Sequence, residues 1–342
     1  MLIVGFKVII AANGDQKILL QKLFPSVEFI SPPAYALKYS TTRWRTIAEI
    51  ILQIPKILTA INKENNWLKQ IAKDKHLDIV ISDNRYGLYH AHITSVFVTH
   101  QLLIKTPFGG WVNSFLQRLN YRFIHRFDYC WVPDAPTAPF LAGELSHPKR
   151  VPRIPLRYIG AQSGISSQPT ESAKSLLVLL SGPEPQRSIL EQCLLQQLQL
   201  NPQQVQFVRG LPAATAALSA PAGVTVHNFV TGPALEKMIN EAAIIICRAG
   251  YSSMMDLLPL GKRCIFIPTP GQSEQEYLGE WMRSNKYAVV VTQQKFSLPA
   301  ALAEALAMQV PNLSQTKNEQ LLQDVITEVQ DVIRQKQQSS AQ

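Results

Sequence analysis

Four small or polar residues divide an apolar stretch of the sequence at the point where a predicted strand leads into a predicted helix. They are Arg248, Gly250, Ser252 and Ser253. Free N–H groups and the helix dipole make such a helix start attractive to anions, and a glycine lets a phosphate approach the backbone. The serines could cap the helix or bind a phosphate oxygen. The pattern predicts a phosphate site, with an ordinary capped helix and an incidental arginine as the alternative.

A second polar segment, residues 268–277, follows the next apolar run and leads into another helix. Its amide side chains suit the hydroxyl groups of a sugar. Asp256 lies one turn inside the preceding helix, where its carboxylate could accept hydrogen bonds from two hydroxyls. Because both segments end strands of one predicted sheet, we expect a site for a phosphorylated sugar compound. A solvated helix start would also fit the second segment.

These groups need a sheet to position them, and strand and helix patterns alternate along both halves of the chain. The alternation predicts an α/β protein of two doubly wound domains, each a parallel sheet with helices on both faces. A ligand cleft is expected between the domains, at the carboxyl ends of the strands. The predicted parts are a first domain at residues 1–150, a proline-rich linker at 151–174, a second domain at 175–313, a closing helix at 314–336 and a disordered tail at 337–342.

The net charge of +9 is concentrated in the first domain. Residues 1–134 contain 16 Lys and Arg against 9 Asp and Glu, whereas the remainder contains 17 against 15. This favours anionic partners, and without zinc-finger spacing or an arginine-rich arm nucleic acid is not expected among them. Residues 108–126 interleave aromatic and basic side chains on a predicted helix. Such a face suits the anionic head groups of a membrane, and a core-packed helix with a solvated basic side is the alternative.

Several classes of site and protein are disfavoured by the sequence. The four cysteines have no CxxC spacing, which predicts reduced thiols in a cytoplasmic protein. No apolar run is long enough to span a bilayer, and the segment that starts at Met1 has no secretory leader. A DxD motif is absent, so no metal held by paired carboxylates and no cofactor are expected.

The segment RAGYSSMMDLLPLGKRCIFIPTPGQSEQEYLGEWM resembles the donor-binding domain of family 28 glycosyltransferases. The resemblance covers residues 175–285 and implies the GT-B fold, two facing Rossmann-like domains with the last helix crossing back to the first. It also implies that residues 248–253 hold the donor diphosphate and that Asp256 binds the ribose hydroxyls. The side chains implied to face the donor sugar are Gln272, Gln275 and Glu276. The other implied donor contacts are Ser181 and Gly182 on the phosphate side and Phe229 and Val230 against the base.

Two departures affect the donor side. The loop after the first strand of the domain reads SGPEPQR and is not glycine-rich, and Gly164 stands where relatives often carry a basic residue. The resemblance therefore leaves the phosphate contacts of that loop and the identity of the base open.

The segment HLDIVISDNRYGLYHAHITSVFVTHQLLI resembles the two acceptor-side strand ends of the family. The residues that follow the first of these strands are Asp83, Asn84 and Arg85. His100 and Gln101 follow the next strand, where relatives carry a histidine and an amide or acid. His100 is the candidate catalytic residue, and a structural histidine is the alternative.

The first strand, glycine-rich loop and helix of the family have no counterpart in the sequence, since VGFKVIIAANGDQ is similar to the second strand. We therefore expect a first domain that lacks its first βα unit and exposes two strand edges. The usual general base of the family lies in that loop, so the resemblance assigns it to no residue of this chain.

The resulting hypothesis is an enzyme, a hexosyltransferase that moves a sugar from a nucleotide sugar to an acceptor hydroxyl, and the expected donor is a UDP-sugar. A lipid-linked or cell-envelope acceptor and a peripheral position on the inner face of a membrane would fit the basic first domain. The alternatives are a non-catalytic nucleotide-sugar binding protein and a GT-B-type sugar-nucleotide epimerase. An epimerase would need acids and histidines at the cleft in both domains, a pattern that Asp83, His100 and Asp256 match loosely.

Overall fold

The chain folds into two α/β units that follow one another along the sequence, each built on parallel strands. The computed structural model describes residues 5–33, 45–168, 175–201, 203–214 and 218–341.

Among its described residues, the first domain contains six short strands and three α-helices. The strands are β1 (Ile9–Ala11), β2 (Glu28–Ile30), β3 (Ile79–Asp83), β4 (Thr94–Val98), β5 (Tyr129–Val132) and β6 (Leu156–Tyr158), and the helices are α1 (Gly14–Leu23), α2 (Arg45–Lys75) and α3 (Gly110–Ile124). Strands β3 to β6 form one parallel sheet in sequence order, and β1 and β2 form a separate parallel pair. Within the described ranges no strand pairs with the second edge of β1 or of β3. The two exposed strand edges that the sequence predicts are thus present there.

Alternating side chains of β4 and β5 give the four-stranded sheet two apolar faces. Val96 and Trp131 point to one face, and Phe97 and Cys130 point to the other. The second face is covered by α3 through Tyr121 and Ile124, among others. Nearly all residues of β4 and β5 are buried, as is typical of parallel strands that are covered on both faces.

Strand β6 lies inside the segment predicted as a linker, at residues 151–174, and corrects that boundary. It pairs in parallel with β5, so the first domain continues at least to Tyr158. The strand is only three residues long and stands at the edge of the sheet among prolines. Proline is tolerated at sheet edges, which explains why a proline-rich composition hid a strand.

The second domain is a six-stranded parallel sheet in the order β12-β11-β10-β7-β8-β9. Its strands are β7 (Ser175–Leu179), β8 (Val205–Val208), β9 (Val224–His227), β10 (Ala242–Cys247), β11 (Arg263–Phe266) and β12 (Val289–Val290). Its helices are α4 (Gln186–Leu200), α5 (Gly232–Glu241), α6 (Tyr251–Leu257), α7 (Ser273–Ser284) and α8 (Leu298–Ala307). Helices α5, α6 and α7 cover one face, and α4 and α8 cover the other.

The last helix, α9 (Glu319–Ala341), returns to the first domain. Val325 and Val329 pack against the apolar face formed by Val96 and Trp131. Beside them Glu328 accepts two hydrogen bonds from Arg157, at 2.8 and 2.9 Å.

The predicted disordered tail, residues 337–342, differs from the structure because α9 continues to Ala341. Gln337 donates a hydrogen bond to Asp78, 2.9 Å away, which holds this end of the helix against the first domain.

Candidate functional site

Three glycine-containing loops open at one edge of the second domain. Gly182 follows β7, Gly250 follows β10 and Gly271 follows β11, and these three strands are neighbours in the sheet. A Cβ atom added to any of these glycines would meet nothing within 4 Å. Gly182 and Gly271 also have φ values of +99° and +83°, a backbone region that favours glycine. The loops therefore leave room for a ligand to approach the backbone at the carboxyl ends of adjacent parallel strands.

Helix α6 begins at the centre of this edge. Gly250 is its extended N-cap residue, Ser252 is exposed and Ser253 is half-buried. The first N–H groups of a helix have no partner within the helix, so this start can bind an anion. The phosphate site that the residue pattern predicts would lie at this helix start.

The guanidinium of Arg248 lies beneath the loops and is closed to solvent. The residue is only 1% exposed and donates hydrogen bonds to the carbonyl oxygens of Gln186 at 2.6 Å, Ile267 at 3.3 Å and Pro268 at 3.4 Å. Desolvation lowers its pKa to about 10. In this arrangement Arg248 ties together the loops that follow β7 and β11, and its side chain does not face the cleft.

A buried charge network supports the loop after β7 and was not singled out from the sequence. Glu191 accepts hydrogen bonds from Arg187 at 2.7 Å and from Arg209 at 2.8 and 3.0 Å. Desolvation opposes the charge on Glu191, but the hydrogen bonds from both arginines outweigh it and lower its pKa. The i, i+4 spacing of Arg187 and Glu191 was the available signal, although it is common on solvated helices.

Asp256 belongs to α6, and its side chain is partly buried against the segment that leads out of the first domain. Desolvation raises its pKa, while a hydrogen bond with Ser163 and the charge of Lys317 act in the opposite direction. A half-buried carboxylate near the cleft can accept hydrogen bonds from sugar hydroxyls, as the resemblance implies.

The polar loop after β11 is shaped by its own side chains. Gln275 accepts a hydrogen bond from the N–H of Thr269 at 2.9 Å, and Glu276 accepts one from the N–H of Gly271 at 3.0 Å. Gln272 is the N-cap residue of α7. These contacts hold the loop open beside the start of α6.

Phe229 and Val230 follow β9 at the same edge of the sheet. Phe229 is exposed, and Val230 packs against the core of the domain. Since β8 lies between β9 and β7, these residues are separated from the glycine loops by the width of the intervening strands.

The predicted acceptor-side residues lie at the ends of β3 and β4. Desolvation raises the pKa of the Asp83 carboxyl, and the nearby His100 acts to lower it. Asn84 adopts a φ of +53°. Arg85 forms an ion pair with the buried Glu64 and donates a hydrogen bond to the carbonyl of Pro33 at 2.7 Å. Its guanidinium is therefore bound to other groups of the first domain.

His100 and Gln101 lie at the contact between the two domains. His100 Nε2 is 2.9 Å from one carboxylate oxygen of Glu274, and Gln101 donates to the other at 3.3 Å. The imidazole of His100 also stacks on the ring of Tyr251, with the centroids 4.1 Å apart and the planes 6° from parallel. The structure thus brings the candidate histidine to the start of α6.

Helix α7 contacts the first domain with one face. Tyr277 accepts a hydrogen bond from the N–H of Glu144 at 2.9 Å, and the Trp281 indole donates to the carbonyl of Phe140 at 3.1 Å. Together with Glu274, these residues are spaced as i, i+3 and i+7, the repeat of a helix face. Glu274 was not predicted, although this spacing was the signal that could have found it.

The described residues contain no cluster of three or more His, Cys, Asp or Glu side chains that could hold a metal ion. No helix among them combines the length and apolar character needed to cross a membrane.

Comparison with known proteins places this geometry in context. Residues 179–335 match the model of the glycosyltransferase family 28 C-terminal domain. Over 288 residues, 80% of this chain and 76% of the relative, the chain is 22% identical to the UDP-N-acetylglucosamine--N-acetylmuramyl-(pentapeptide) pyrophosphoryl-undecaprenol N-acetylglucosamine transferase of Psychrobacter cryohalolentis.

Two solved structures show the same architecture. The glycotransferase of kitacinnamycin aligns with a TM-score of 0.63 and 15% identity, covering 96% of this chain and 92% of that one. The MurG structure from Acinetobacter baumannii aligns with a TM-score of 0.50 and 13% identity, covering 94% and 90%. At these identities the likeness concerns the fold, and it confirms the predicted pair of Rossmann-like domains in the GT-B arrangement.

Proposed function

We propose that the chain is a family 28 glycosyltransferase whose donor is a UDP-sugar bound at the glycine loops of the second domain. The observation that carries this assignment is the open edge at Gly182, Gly250 and Gly271, with the start of α6 at its centre. A diphosphate bound there meets backbone N–H groups and the positive end of the helix dipole. The same interactions stabilise the diphosphate as it leaves.

In this proposal the remaining donor contacts surround the diphosphate. Ser252 and Ser253 bind phosphate oxygens, and Asp256 accepts hydrogen bonds from the ribose hydroxyls. Arg248 acts indirectly, because its three hydrogen bonds to carbonyl groups hold the loops in place. Gln272, the N-cap residue of α7, contacts the sugar in this proposal.

The acceptor that we propose is a hydroxyl of a lipid-linked sugar, reached from the cytoplasmic face of a membrane. The Psychrobacter relative is named for an acceptor on pyrophosphoryl-undecaprenol, which is a lipid. Independent support comes from α3, where Trp111 is 80% exposed and Phe115 is 58% exposed. Arg118 and Arg122 continue the same stripe of the helix at i+7 and i+11 from Trp111.

A basic loop extends this surface beside α3. The carbonyl of Arg150 accepts hydrogen bonds from Tyr121 and Gln117 on the helix, and the N–H of Arg153 donates to His125. The exposed cations of the combined surface are Arg118, Arg122, Lys149, Arg150 and Arg153. None of the ion pairs found in the described part of the chain involves them. Two exposed aromatic rings framed by cations suit a bilayer with anionic lipids, which the cytoplasmic leaflet provides.

Isothermal titration calorimetry with UDP and UDP-N-acetylglucosamine tests the donor site. We expect Asp256→Ala to weaken binding by about 1–3 kcal/mol through lost hydroxyl contacts, and Asp331→Ala on the exposed side of α9 to leave it unchanged. Equal affinities of Asp256→Ala and the parent chain would remove Asp256 from the site. Tight binding without any release of UDP in the presence of acceptors would favour a binding protein, and conversion of the bound sugar to its epimer would favour an epimerase.

Vesicle co-sedimentation tests the membrane surface. We expect binding to vesicles that contain phosphatidylglycerol, weaker binding at high salt, and at least a tenfold loss of affinity in the double variant Trp111→Ser, Phe115→Ser. Leu306→Ser, which removes an exposed apolar side chain from α8, is the matched control. Equal binding to purely zwitterionic vesicles would contradict the proposed surface.

A further inference from the structure

The contact between His100 and Glu274 joins residues that lie 174 positions apart and belong to different domains. His100 is placed by the end of β4, where the sheet of the first domain meets the cleft. Glu274 is the second residue of α7 and is placed by the loop that carries the proposed sugar contacts. The pair therefore lies between the donor side and the acceptor side of the cleft.

The pair is held from several directions. Both carboxylate oxygens of Glu274 contact the first domain, one through His100 and one through Gln101. The imidazole face of His100 is fixed by the parallel ring of Tyr251, which is buried and donates a hydrogen bond to the carbonyl of Pro133. The side chains of His100 and Glu274 remain 20% and 35% exposed, so the pair is ordered by contacts and still reaches the cleft.

The contact decides which ring nitrogen can act as a base. A carboxylate accepts hydrogen bonds and cannot donate one, so the nitrogen that faces Glu274 carries the proton. In the neutral imidazole the other nitrogen, Nδ1, then has a free lone pair. The other carboxyl near the ring is Asp83, at the end of the neighbouring strand.

We propose that Glu274 is a positioning residue that makes Nδ1 of His100 the general base of the transfer reaction, an inference that rests on the proposed function. In the reaction the acceptor oxygen forms a bond to the anomeric carbon, and its proton passes to Nδ1. The bond between the anomeric carbon and the diphosphate breaks, and its electron pair leaves with the diphosphate. The carboxylate of Glu274 stabilises the imidazolium that results, as the orienting acid of a Ser-His-Asp triad does.

This arrangement couples the base to the closure of the cleft. Glu274 reaches His100 only when α7 lies against the first domain, and Tyr277 and Trp281 make that contact on the same helix face. The base is therefore complete when the donor loop and the acceptor-side strand end are together. A separated pair of domains would leave His100 without its orienting carboxylate.

Nuclear magnetic resonance of the histidine rings tests the contact without any ligand. At a pH where the rings are neutral, we expect the Nε2–H proton of His100 to be protected from exchange in the parent chain and in Glu280→Ala, as a signal separate from that of His227, whose Nε2 faces Gln206. Glu280 lies on the same helix, is exposed, and accepts hydrogen bonds from Arg283 and Ser284 of that helix. The signal should disappear in Glu274→Ala and in His100→Gln. A protected proton on Nδ1, or a signal that persists in Glu274→Ala, would overturn the proposal.

Steady-state release of UDP from UDP-N-acetylglucosamine tests the role in catalysis. We expect Glu274→Ala to lower kcat by about 100-fold, within the range for loss of general-base assistance, and to change KM less than threefold. Glu280→Ala should retain the parent kcat. An unchanged kcat in Glu274→Ala would overturn the positioning role. If the parent chain binds no UDP in calorimetry, the proposed function fails, whereas the ring-proton result still decides whether the pair exists.

Discussion

Arg248 is among the bulkiest fully buried side chains of the described structure, and three carbonyl groups surround its guanidinium. A buried cation is stable only where hydrogen bonds replace its lost hydration. Here those bonds join the end of β11 to the start of α4, so one side chain sets the separation of two loops. At the residue scale, a buried side chain that does not face the cleft therefore positions the loops of the site.

We expect Arg248→Ala to destabilise the protein by about 3 kcal/mol or more, because the carbonyl groups lose their donors and a large cavity remains. Urea unfolding followed by circular dichroism measures this loss. Arg334→Ala, which removes an exposed arginine paired only with Asp331, should change the free energy of unfolding by less than about 0.5 kcal/mol. If both variants unfolded at the same urea concentration, Arg248 would have no structural role.

Asp256 is predicted to cost stability at neutral pH. Its pKa is raised in the folded protein by desolvation, so folding favours the protonated carboxyl. The contribution of Asp256 to stability is therefore greatest below the unfolded pKa of about 4 and falls as the pH rises through the folded pKa. Asp256→Asn removes the charge and should raise the melting temperature at pH 7, with a difference that shrinks as the pH falls toward 4. A lower melting temperature of Asp256→Asn at pH 7 would contradict this reasoning.

At the scale of elements, α7 determines how the domains meet. Glu274, Tyr277 and Trp281 lie along one of its faces, and each contacts the first domain. Opposite this face is Gly143, whose φ is +54° and whose added Cβ would stand 2.7 Å from the Trp281 ring. The close approach of backbone and indole is therefore possible only with glycine.

The Gly143→Ala variant tests this packing against a matched control. Gly261 has a similar φ of +68°, but an added Cβ there meets nothing within 4 Å. Gly261→Ala should cost the roughly 1–2 kcal/mol of a left-handed residue, and Gly143→Ala should cost about 1–3 kcal/mol more because of the overpacked contact. Equal thermal unfolding of the two variants would show that the contact adapts without strain.

At the scale of the whole molecule, α9 connects the second domain to the first. Its apolar side chains Val325, Ile326 and Val329 are buried against the first-domain sheet. Residues more than 160 positions apart, Arg157 and Glu328, pair beside this contact. The first domain is therefore covered on one face by the last helix of the chain.

Ile326→Ala should lower the free energy of unfolding by about 2–5 kcal/mol, the usual cost of truncating a buried isoleucine. Gln323→Ala, on the exposed side of the same helix, should have an effect below about 0.5 kcal/mol. Denaturant unfolding of both variants gives the comparison. A small effect of Ile326→Ala would mean that the packing of α9 contributes little to the first domain.

The sequence by itself determined the fold class and the glycine-containing loops that follow the strands of the second domain. Short continuous apolar runs mark nearly every strand because both faces of a parallel sheet are buried, and this local signal needs no knowledge of partners. For that reason the strand from Ala242 to Cys247 and the polar residues after it could be recognised in the sequence. The resemblance to family 28 is confirmed by the match over residues 179–335, and it implies that this domain binds the donor.

Only the tertiary structure decided where individual side chains point and which distant residues meet. Arg248 carries a charge that suits a phosphate, but its direction depends on carbonyl groups 19 and 62 positions away. The His100–Glu274 contact joins two domains, so no local pattern contains it. Strand β6 could not be recognised among the prolines, because it is an edge strand that forms by pairing with β5 and its own composition does not mark it. Such outcomes depend on packing between segments, which the order of residues encodes only through the complete fold.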